Sequence, residues 1–511
     1  MIRVVTSSES AARDASAIAA GIPSRALMQR AGAAAAAEIA LRFRDRLGDG
    51  VLVLAGPGNN GGDAWVIARA LAATGVRVRV VEPVPAKTDD ARAERQLALD
   101  SVATGGDVDQ GEGVIIDGLL GTGAKRASSD IFATLVRATR AMRARGAAVV
   151  AIDIVSGIDA TTGEAIGETV SADLTVTFAT VKRGHLIDRD SSGTIVAVDI
   201  GLGSHAELGD GAPRLVDDRW ASEHLPHVRA TAHKGERKKL AIVGGHEGMA
   251  GAAVLAARGA FRSGIGMVKL VVAPASLAPI QESEPQALAA AWPPDDAVVE
   301  RDISRWADAV AIGPGLGRGD DSRVLLERVL RVWRGPVLLD ADALTLFEGQ
   351  ADRLAALLAG RPALLTPHVV EFGRLAGMSA GQVLANRFDV GASLAKQVGA
   401  TVLLKGVPTV ITAPNGERLV SATGTPALGT GGSGDVLSGI AGTLLAQTGD
   451  PLVAGALGAF AHGRAAERVP VIGGSRGISL DDIVAELRHV WQFDAEPPRY
   501  PVLAELPAVT S

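Results

Sequence analysis

Short apolar runs, each ending in a glycine-rich or acidic loop and followed by a helical pattern, constrain this chain more than any other feature. In the first half, residues 51–54 lead into Gly56-Pro57-Gly58-Asn59-Asn60-Gly61-Gly62-Asp63 and a helical pattern through Ala73, which Gly75 is placed to stop. Residues 76–81, 114–116 and 148–152 are the next apolar runs, separated by polar helical segments. This alternation predicts a parallel sheet with both faces covered, because parallel strands need crossover connections and the crossover helices pack on the sheet. Loops at the carboxyl ends of such strands converge on one edge, where open α/β sheets bind ligands. The loops 59–63, 117–125 and 153–159 are therefore expected to meet.

The second half repeats the architecture without repeating the sequence. Residues 240–243, 268–272, 309–312, 337–339, 363–365 and 401–404 read as buried strands, with helical patterns such as 249–262 between several of them. Asn415-Gly416 is a hairpin signal between residues 410–412 and 418–420, since both turn residues tolerate positive φ. Ser479 with Asp482 reads as a capping box before a last amphipathic helix reaching about Trp491. At 511 residues the chain is too long for one core, and a prior of roughly 150 residues per domain suggests about three domains, lowered to two by the size of α/β units. The shift to Gly, Ser, His and Asp at 201–213 looks like a linker, so the expected division is 1–210, 215–495 and a C-terminal tail, 496–511.

A net charge of −6 leaves no general basic footprint for nucleic acid, and the absence of cysteine excludes disulfides, thiol catalysis and thiolate metal sites. The absence of cysteine fits a cytoplasmic protein. Glu9, Arg13 and Asp14 interrupt the N-terminal segment, so no secretion signal is expected. The least charged region, 436–463, is broken by Asp450-Pro451 and predicts two buried helices, with no membrane insertion.

The chemistry concentrates in Gly429-Thr430-Gly431-Gly432-Ser433-Gly434-Asp435, which runs into the apolar segment 436–445. Glycines let successive N–H groups turn toward a polyphosphate, and the helix adds the positive end of its dipole. Asp435, in the first turn, is placed to take a proton from a hydroxyl attacking that phosphate. Lys405 ends a strand and precedes Gly406; alone it reads as a solvated strand-end lysine, and with the downstream loop as a phosphate partner. Gly313-Pro314-Gly315-Leu316-Gly317 and Thr366-Pro367-His368 stand at further strand ends, where Gly315 also suits a plain turn and His368 a structural position.

Together with His233-Lys234-Gly235, Gly248-Met249-Ala250-Gly251-Ala252-Ala253, Asp340-Ala341-Asp342-Ala343-Leu344 and Leu404-Lys405-Gly406, these motifs make residues 215–490 resemble the ribokinase-related NAD(P)H-hydrate dehydratases. The resemblance implies that ADP or ATP, with magnesium, phosphorylates the C6 hydroxyl of a hydrated nicotinamide ring, after which phosphate leaves. It implies Asp435 as the base, Gly431, Gly432, Ser433 and Gly434 around the transferring phosphate, and Lys405, Gly406, Val407, Pro408 and Thr409 at the donor nucleotide. Ala252, Gly317 and His368 would line the hydrate pocket. Val369-Val370 and Gly244-Gly245 depart from the family's usual residues at those positions.

Residues 1–210 resemble the NAD(P)H-hydrate epimerase domain through Asn59-Asn60-Gly61-Gly62-Asp63, the stretch 117–123 and the stretch 153–157. Asn, Asp and Ser oxygens suit a hard cation, so Asn60, Asp117 and Ser156 are candidates to share one ion; in the family it is potassium. The resemblance implies that Asn59, Asn60, Gly61, Gly62 and Asp63, with Gly121, Thr122, Gly123 and Lys125, hold the substrate's diphosphate and ribose, and that Asp153 moves the proton during exchange at C6. Lys125 reads equally as a surface charge, Asp63 and Asp117 equally as helix caps or loop braces, and Val155 replaces the family's proline. The joint expectation is an α/β chain of two domains, an N-terminal Rossmann-like three-layer α/β/α epimerase and a C-terminal ribokinase-like α/β/α dehydratase. Its partners would be NADHX, NADPHX and ADP or ATP, in a homo-oligomer that binds neither nucleic acid nor membrane. A small-metabolite kinase with a regulatory first domain is the alternative, and a binding protein the third reading.

Overall fold

In the computed structural model, which describes residues 2–124, 130–203, 211–470, 475–493, 496 and 498–509, the alternation of apolar runs and helices becomes two separate sheets. The chain divides into two compact units, Ile2–Ala212 with Glu496–Val509, and Pro213–Ala495.

The first unit's sheet runs in the order Val502–Leu506, Thr194–Val198, Leu174–Phe178, Ala148–Ile152, Val114–Gly118, Val51–Ala55, Val78–Val81, Ala103–Thr104. All its pairings are parallel except that of Val502–Leu506 with Thr194–Val198. Strand Val51–Ala55 is buried on both sides: Val51, Val53 and Ala55 pack with Trp65 and Ile67, while Leu52 and Leu54 pack with Leu119 and Phe132. Its neighbours are Val78–Val81 on one side and Val114–Gly118 on the other, so the chain order reverses here and opens a crevice between the loops that follow residues 55 and 118. The helix Asn59–Ala72 begins inside the Asn59–Asp63 motif. Only glycine fits at position 61, where a Cβ would stand 1.8 Å from the Gly56 carbonyl oxygen.

The second unit's sheet is ordered Arg214–Leu215, Arg418–Ser421, Thr409–Thr412, Thr401–Leu404, Ala363–Leu365, Val337–Leu339, Ala309–Ile312, Lys239–Gly244, Met267–Val272, Leu288–Ala291. The Asn415-Gly416 hairpin forms as expected, with Thr409–Thr412 and Arg418–Ser421 antiparallel. The apolar region of low charge forms the two buried helices Ser433–Thr448 and Pro451–Arg468. Helix Ser433–Thr448 packs so closely on Ala250–Arg262 that a Cβ on Gly439 would lie 1.9 Å from the Ala256 carbonyl oxygen. That close approach seats the glycine loop at the head of the sheet.

Two expectations are corrected. Residues 496–511, expected to be a C-terminal tail, contribute the edge strand Val502–Leu506, whose Ala504 and Leu506 are buried. The capping box at Ser479 is present, but its helix ends at Glu486 and continues as a 3₁₀ turn, Leu487–His489. The stretch 201–213 lies partly outside the described residues, and the chain re-enters a sheet directly at Arg214–Leu215. No described helix is long and apolar enough to cross a membrane.

Candidate active sites

In the second unit, Asp435 stands in the first turn of helix Ser433–Thr448, behind Gly432, whose φ of 93° requires glycine. Burial pushes the Asp435 carboxyl up to about 7, reinforced by the charge of Asp340 and opposed by Lys405. Lys405 is not a solvated strand-end lysine: its Nζ donates to Asp340 Oδ1 at 2.7 Å and lies 3.9 Å from Glu371 Oε2. Burial alone would lower its pKa, but the charges of Asp340 and Glu371 win and raise it. Ser438, one turn after Gly434, donates to the other oxygen of Asp340 at 2.6 Å. A Cβ at Gly434 would be 3.2 Å from Lys405 Nζ, so the ammonium lies beside the loop backbone. A basic side chain and free-standing glycines at a helix N-terminus together form an anion cradle, with a carboxyl of raised pKa beside it.

The remaining candidates of this unit gather around it. Ala341, between Asp340 and Asp342, has φ of 50°, a strained conformation for alanine that turns both carboxylates out of the strand end. Asp342 Oδ2 accepts the Gly317 N–H at 3.0 Å, and a Cβ on Gly315 would be 3.0 Å from that of Ala252. His368 caps helix Val369–Ala376: its Nδ1 accepts from the N–H of Val370 at 3.1 Å and of Glu371 at 3.3 Å, which leaves the ring proton on Nε2. Burial holds this histidine below its usual range, so it is a neutral donor. Residues 405–409 make a turn closed by the Thr409 hydroxyl donating to the Gly406 carbonyl at 3.0 Å, with Val407 exposed.

In the first unit, Asn59, Asn60, Asp63, Gly121, Thr122, Gly123 and Asp153 line one cleft of about 520 Å³. Gly61 and Gly62 serve it from behind, Gly61 against Gly56 and Gly62 against Met28. Lys125 lies outside the described residues. Asp153 has φ of 64° and is held from all sides. Its Oδ1 accepts from Lys182 Nζ, from Thr177 Oγ1 at 3.1 Å and from the Phe178 N–H at 3.3 Å, and its carbonyl meets His185 Nε2 at 2.9 Å. Burial drives His185 down to about 3, so the neutral ring donates from Nε2 while Nδ1 accepts from the Lys182 N–H. Asp63 is not a helix cap, being the fifth residue of its helix; burial raises its pKa well above the usual carboxylate range.

Asp117 braces loops and caps no helix. Its oxygens accept from the Ser156 hydroxyl at 2.6 Å, the Ser156 N–H at 2.9 Å and the Leu119 N–H at 3.3 Å. It is fully buried, no cationic side chain pairs with it among the described residues, and burial raises its pKa despite those donors. Asn60 Nδ2 donates to the Leu120 carbonyl at 2.9 Å, whereas its buried Oδ1 has no partner. An orphaned carbonyl oxygen beside an unneutralised carboxylate suits a cation. No cluster of three or more His, Cys, Asp or Glu suited to a metal occurs among the described residues.

Comparison with known proteins follows the same division. The family model described as NAD(P)H-hydrate dehydratase matches residues 240–487, and the one described as YjeF-related protein N-terminus matches residues 24–184. The Bifunctional NAD(P)H-hydrate repair enzyme Nnr of Escherichia coli is 33% identical over 86% of this chain and 84% of its own length. The chain belongs to the bifunctional NAD(P)H-hydrate repair enzyme family. The Gloeobacter violaceus member is 38% identical over 86% of this chain and 88% of its own. A solved structure, the ADP/ATP-dependent NAD(P)H-hydrate dehydratase from Bacillus subtilis co-crystallized with ATP/Mg2+, is 29% identical, covers 55% of this chain and 98% of that one, and gives a TM-score of 0.49.

Sequence reasoning missed Asp14, Lys182 and His185 in the first unit and gave no role to Asp340, Glu371 or Ser438 in the second. The run Val181-Lys182-Arg183-Gly184-His185 carried a signal, a lysine in an apolar two-residue strand, but Lys182 is 29 residues from Asp153 in sequence. Only the sheet brings them together.

Proposed function

We infer that this chain repairs hydrated nicotinamide cofactors: its first unit interconverts the R and S forms of NADHX and NADPHX, and its second dehydrates the S form at the expense of ADP or ATP. The observation that carries the reading is the presence, in one chain of this family, of a half-buried carboxyl of raised pKa beside an anion cradle in one unit and a charge-paired aspartate in a cleft in the other. An epimerase makes both hydrates available to a dehydratase that accepts one. The cytoplasm, where these cofactors turn over, is the expected location.

In the second unit, Asp435 takes the proton of the C6 hydroxyl as that oxygen attacks the terminal phosphorus of the donor. The N–H groups of Gly431, Gly432, Ser433 and Gly434 and the Lys405 ammonium neutralise the transferring phosphoryl group, while 405–409 contact the nucleotide. Phosphate then departs with the electron pair of the C6–O bond, assisted by the N1 lone pair, and loss of a proton from C5 restores the C5–C6 double bond of the ring. Ala252, Gly317 and the Nε2–H of His368 orient the hydrate. Magnesium would be held largely by the donor's own phosphates and would neutralise their charge.

In the first unit, Asp153 is the proton acceptor, and Asn59, Asn60, Asp63, Gly121, Thr122 and Gly123 hold the diphosphate and ribose. Asn60, Asp117 and Ser156 would hold potassium, which supplies the positive charge that Asp117 lacks. Exchanging potassium chloride for tetramethylammonium chloride is expected to lower the melting temperature of the wild type and leave that of Asn60→Leu unmoved. An equal response in both proteins would remove the ion site.

The function as a whole is tested by incubating a mixture of hydrate epimers with ADP or ATP and following reduced cofactor and phosphate. Complete conversion with stoichiometric phosphate is expected. A stable phosphorylated ester would mark a metabolite kinase instead.

A further inference from the structure

The epimerase cleft holds a carboxyl that the motifs do not include. Helix Ser7–Ala19 forms one wall, presenting Ser10, Asp14 and Ile18, while Asp153 and Lys182 stand on the sheet side. Its position is fixed from two directions. Strand Val4–Val5 pairs with Val181–Lys182 in register Val5 to Lys182, and the Ser7 N–H donates to Thr161 Oγ1 at 3.0 Å. The next residue back, Arg13, is buried and turned away, donating to the Glu9 carbonyl. Asp14 has no hydrogen-bond or ion-pair partner among the described residues, although it is half-buried.

We propose that Asp14 is the general acid of the epimerase site, giving a proton to N1 of the hydrated ring while Asp153, across the cleft, takes one from the C6 hydroxyl. The proposal rests on the reading of the first unit as an epimerase. The step balances without any further reactant. The C6 hydroxyl loses its proton to Asp153, the C6–O bond becomes a carbonyl, and the C6–N1 bond breaks with its electron pair passing to N1. Asp14 protonates N1, which is conjugated through the ring double bond to the carboxamide. Rotation of the freed aldehyde presents its other face; N1 then attacks it, both protons return, and the opposite epimer results.

Two carboxyls are suited to opposite roles when their surroundings differ, and these differ sharply. Asp153 is paired with Lys182, the one cation among the described residues that line the cleft, whereas Asp14 faces carboxylates: Asp153 and Asp63 across the cleft, with Asp90 at its rim. Burial pushes Asp14 up to about 6, with Lys182 opposing and Asp153 adding to the rise. A proton is thus retained on the group without a cation, close to neutrality, where an acid is most effective.

The test is R-to-S exchange measured without nucleotide, so that no dehydration drains either epimer. With wild-type protein, kcat/KM is expected to fall as pH rises above about 6, because the acid must be protonated. Asp14→Asn is expected to lower kcat about 10²-fold with KM changed less than about threefold, and to abolish that alkaline decline. Asp14→Glu, which keeps an acid, is expected to restore part of the rate together with the decline. An unchanged rate in Asp14→Asn, or a raised KM at unchanged kcat, would overturn the assignment, as would an Asp14→Glu protein no better than the amide. Failure of the wild type itself to exchange the epimers would instead sink the epimerase reading.

Discussion

Asp435→Asn is expected to lower nucleotide-dependent dehydration by about 10²- to 10⁴-fold while leaving epimer exchange at the wild-type rate. The amide cannot accept the hydroxyl proton, yet it has the size and hydrogen-bonding reach of the carboxyl. The pH dependence identifies the cause. A base must be ionised, so wild-type kcat/KM for dehydration should rise about tenfold per unit below about 7 and level off above it. The variant's residual rate should be flat across that range. Folding loss is separable from loss of the base, because the raised pKa means that ionising Asp435 in the folded state is unfavourable. The folded protein holds this proton between the ordinary carboxylate range and about 7, and its stability falls as pH rises through that window. At pH 8 the Asn protein should therefore melt no lower than the wild type. A dehydration rate within a few-fold of wild type would remove Asp435 from its role.

Asp153→Asn is expected to reverse the pattern: epimer exchange falls by about 10²- to 10⁴-fold and dehydration of the S form persists. This substitution carries a structural penalty that Asp435→Asn does not. The Lys182 side chain is 1% exposed and its ammonium is paired with Asp153, and leaving one member of a buried pair uncompensated costs about 3–5 kcal/mol. Melting of the first unit should drop accordingly. The double variant Asp153→Asn/Lys182→Met removes both charges and should recover much of that stability with no recovery of exchange. If the double variant regained activity, the pair would be structural and the chemistry would lie elsewhere.

Both predictions draw on residues whose legibility in the sequence differed. Asp435 could be read because its partners are local: the glycines before it and the apolar helix after it occupy consecutive positions. Asn59, Asn60 and Asp63 were legible for the same reason. Lys182, His185 and Asp14 were not, because Lys182 and His185 meet Asp153, and Asp14 comes to line the same cleft, only through a parallel sheet or a two-strand pairing that joins distant segments. His368 was legible as a ring at a strand end, but its capping of helix Val369–Ala376, which fixes the tautomer, required the backbone. The strand Val502–Leu506 was missed since its pattern is short and flanked by prolines, and its partner lies some three hundred residues earlier.

By itself the sequence determined the class of fold, the two-part organisation and the loops that carry chemistry, because hydrophobic period, glycine placement and helix starts are properties of neighbouring residues. The tertiary structure decided which charges face one another. Lys405 pairs with Asp340, Lys182 with Asp153, and Asp117 and Asp14 are left without a cation among the described residues. A carboxyl's capacity to hold or release a proton depends on burial and on charges a few ångströms away, and no spacing along the chain encodes that distance.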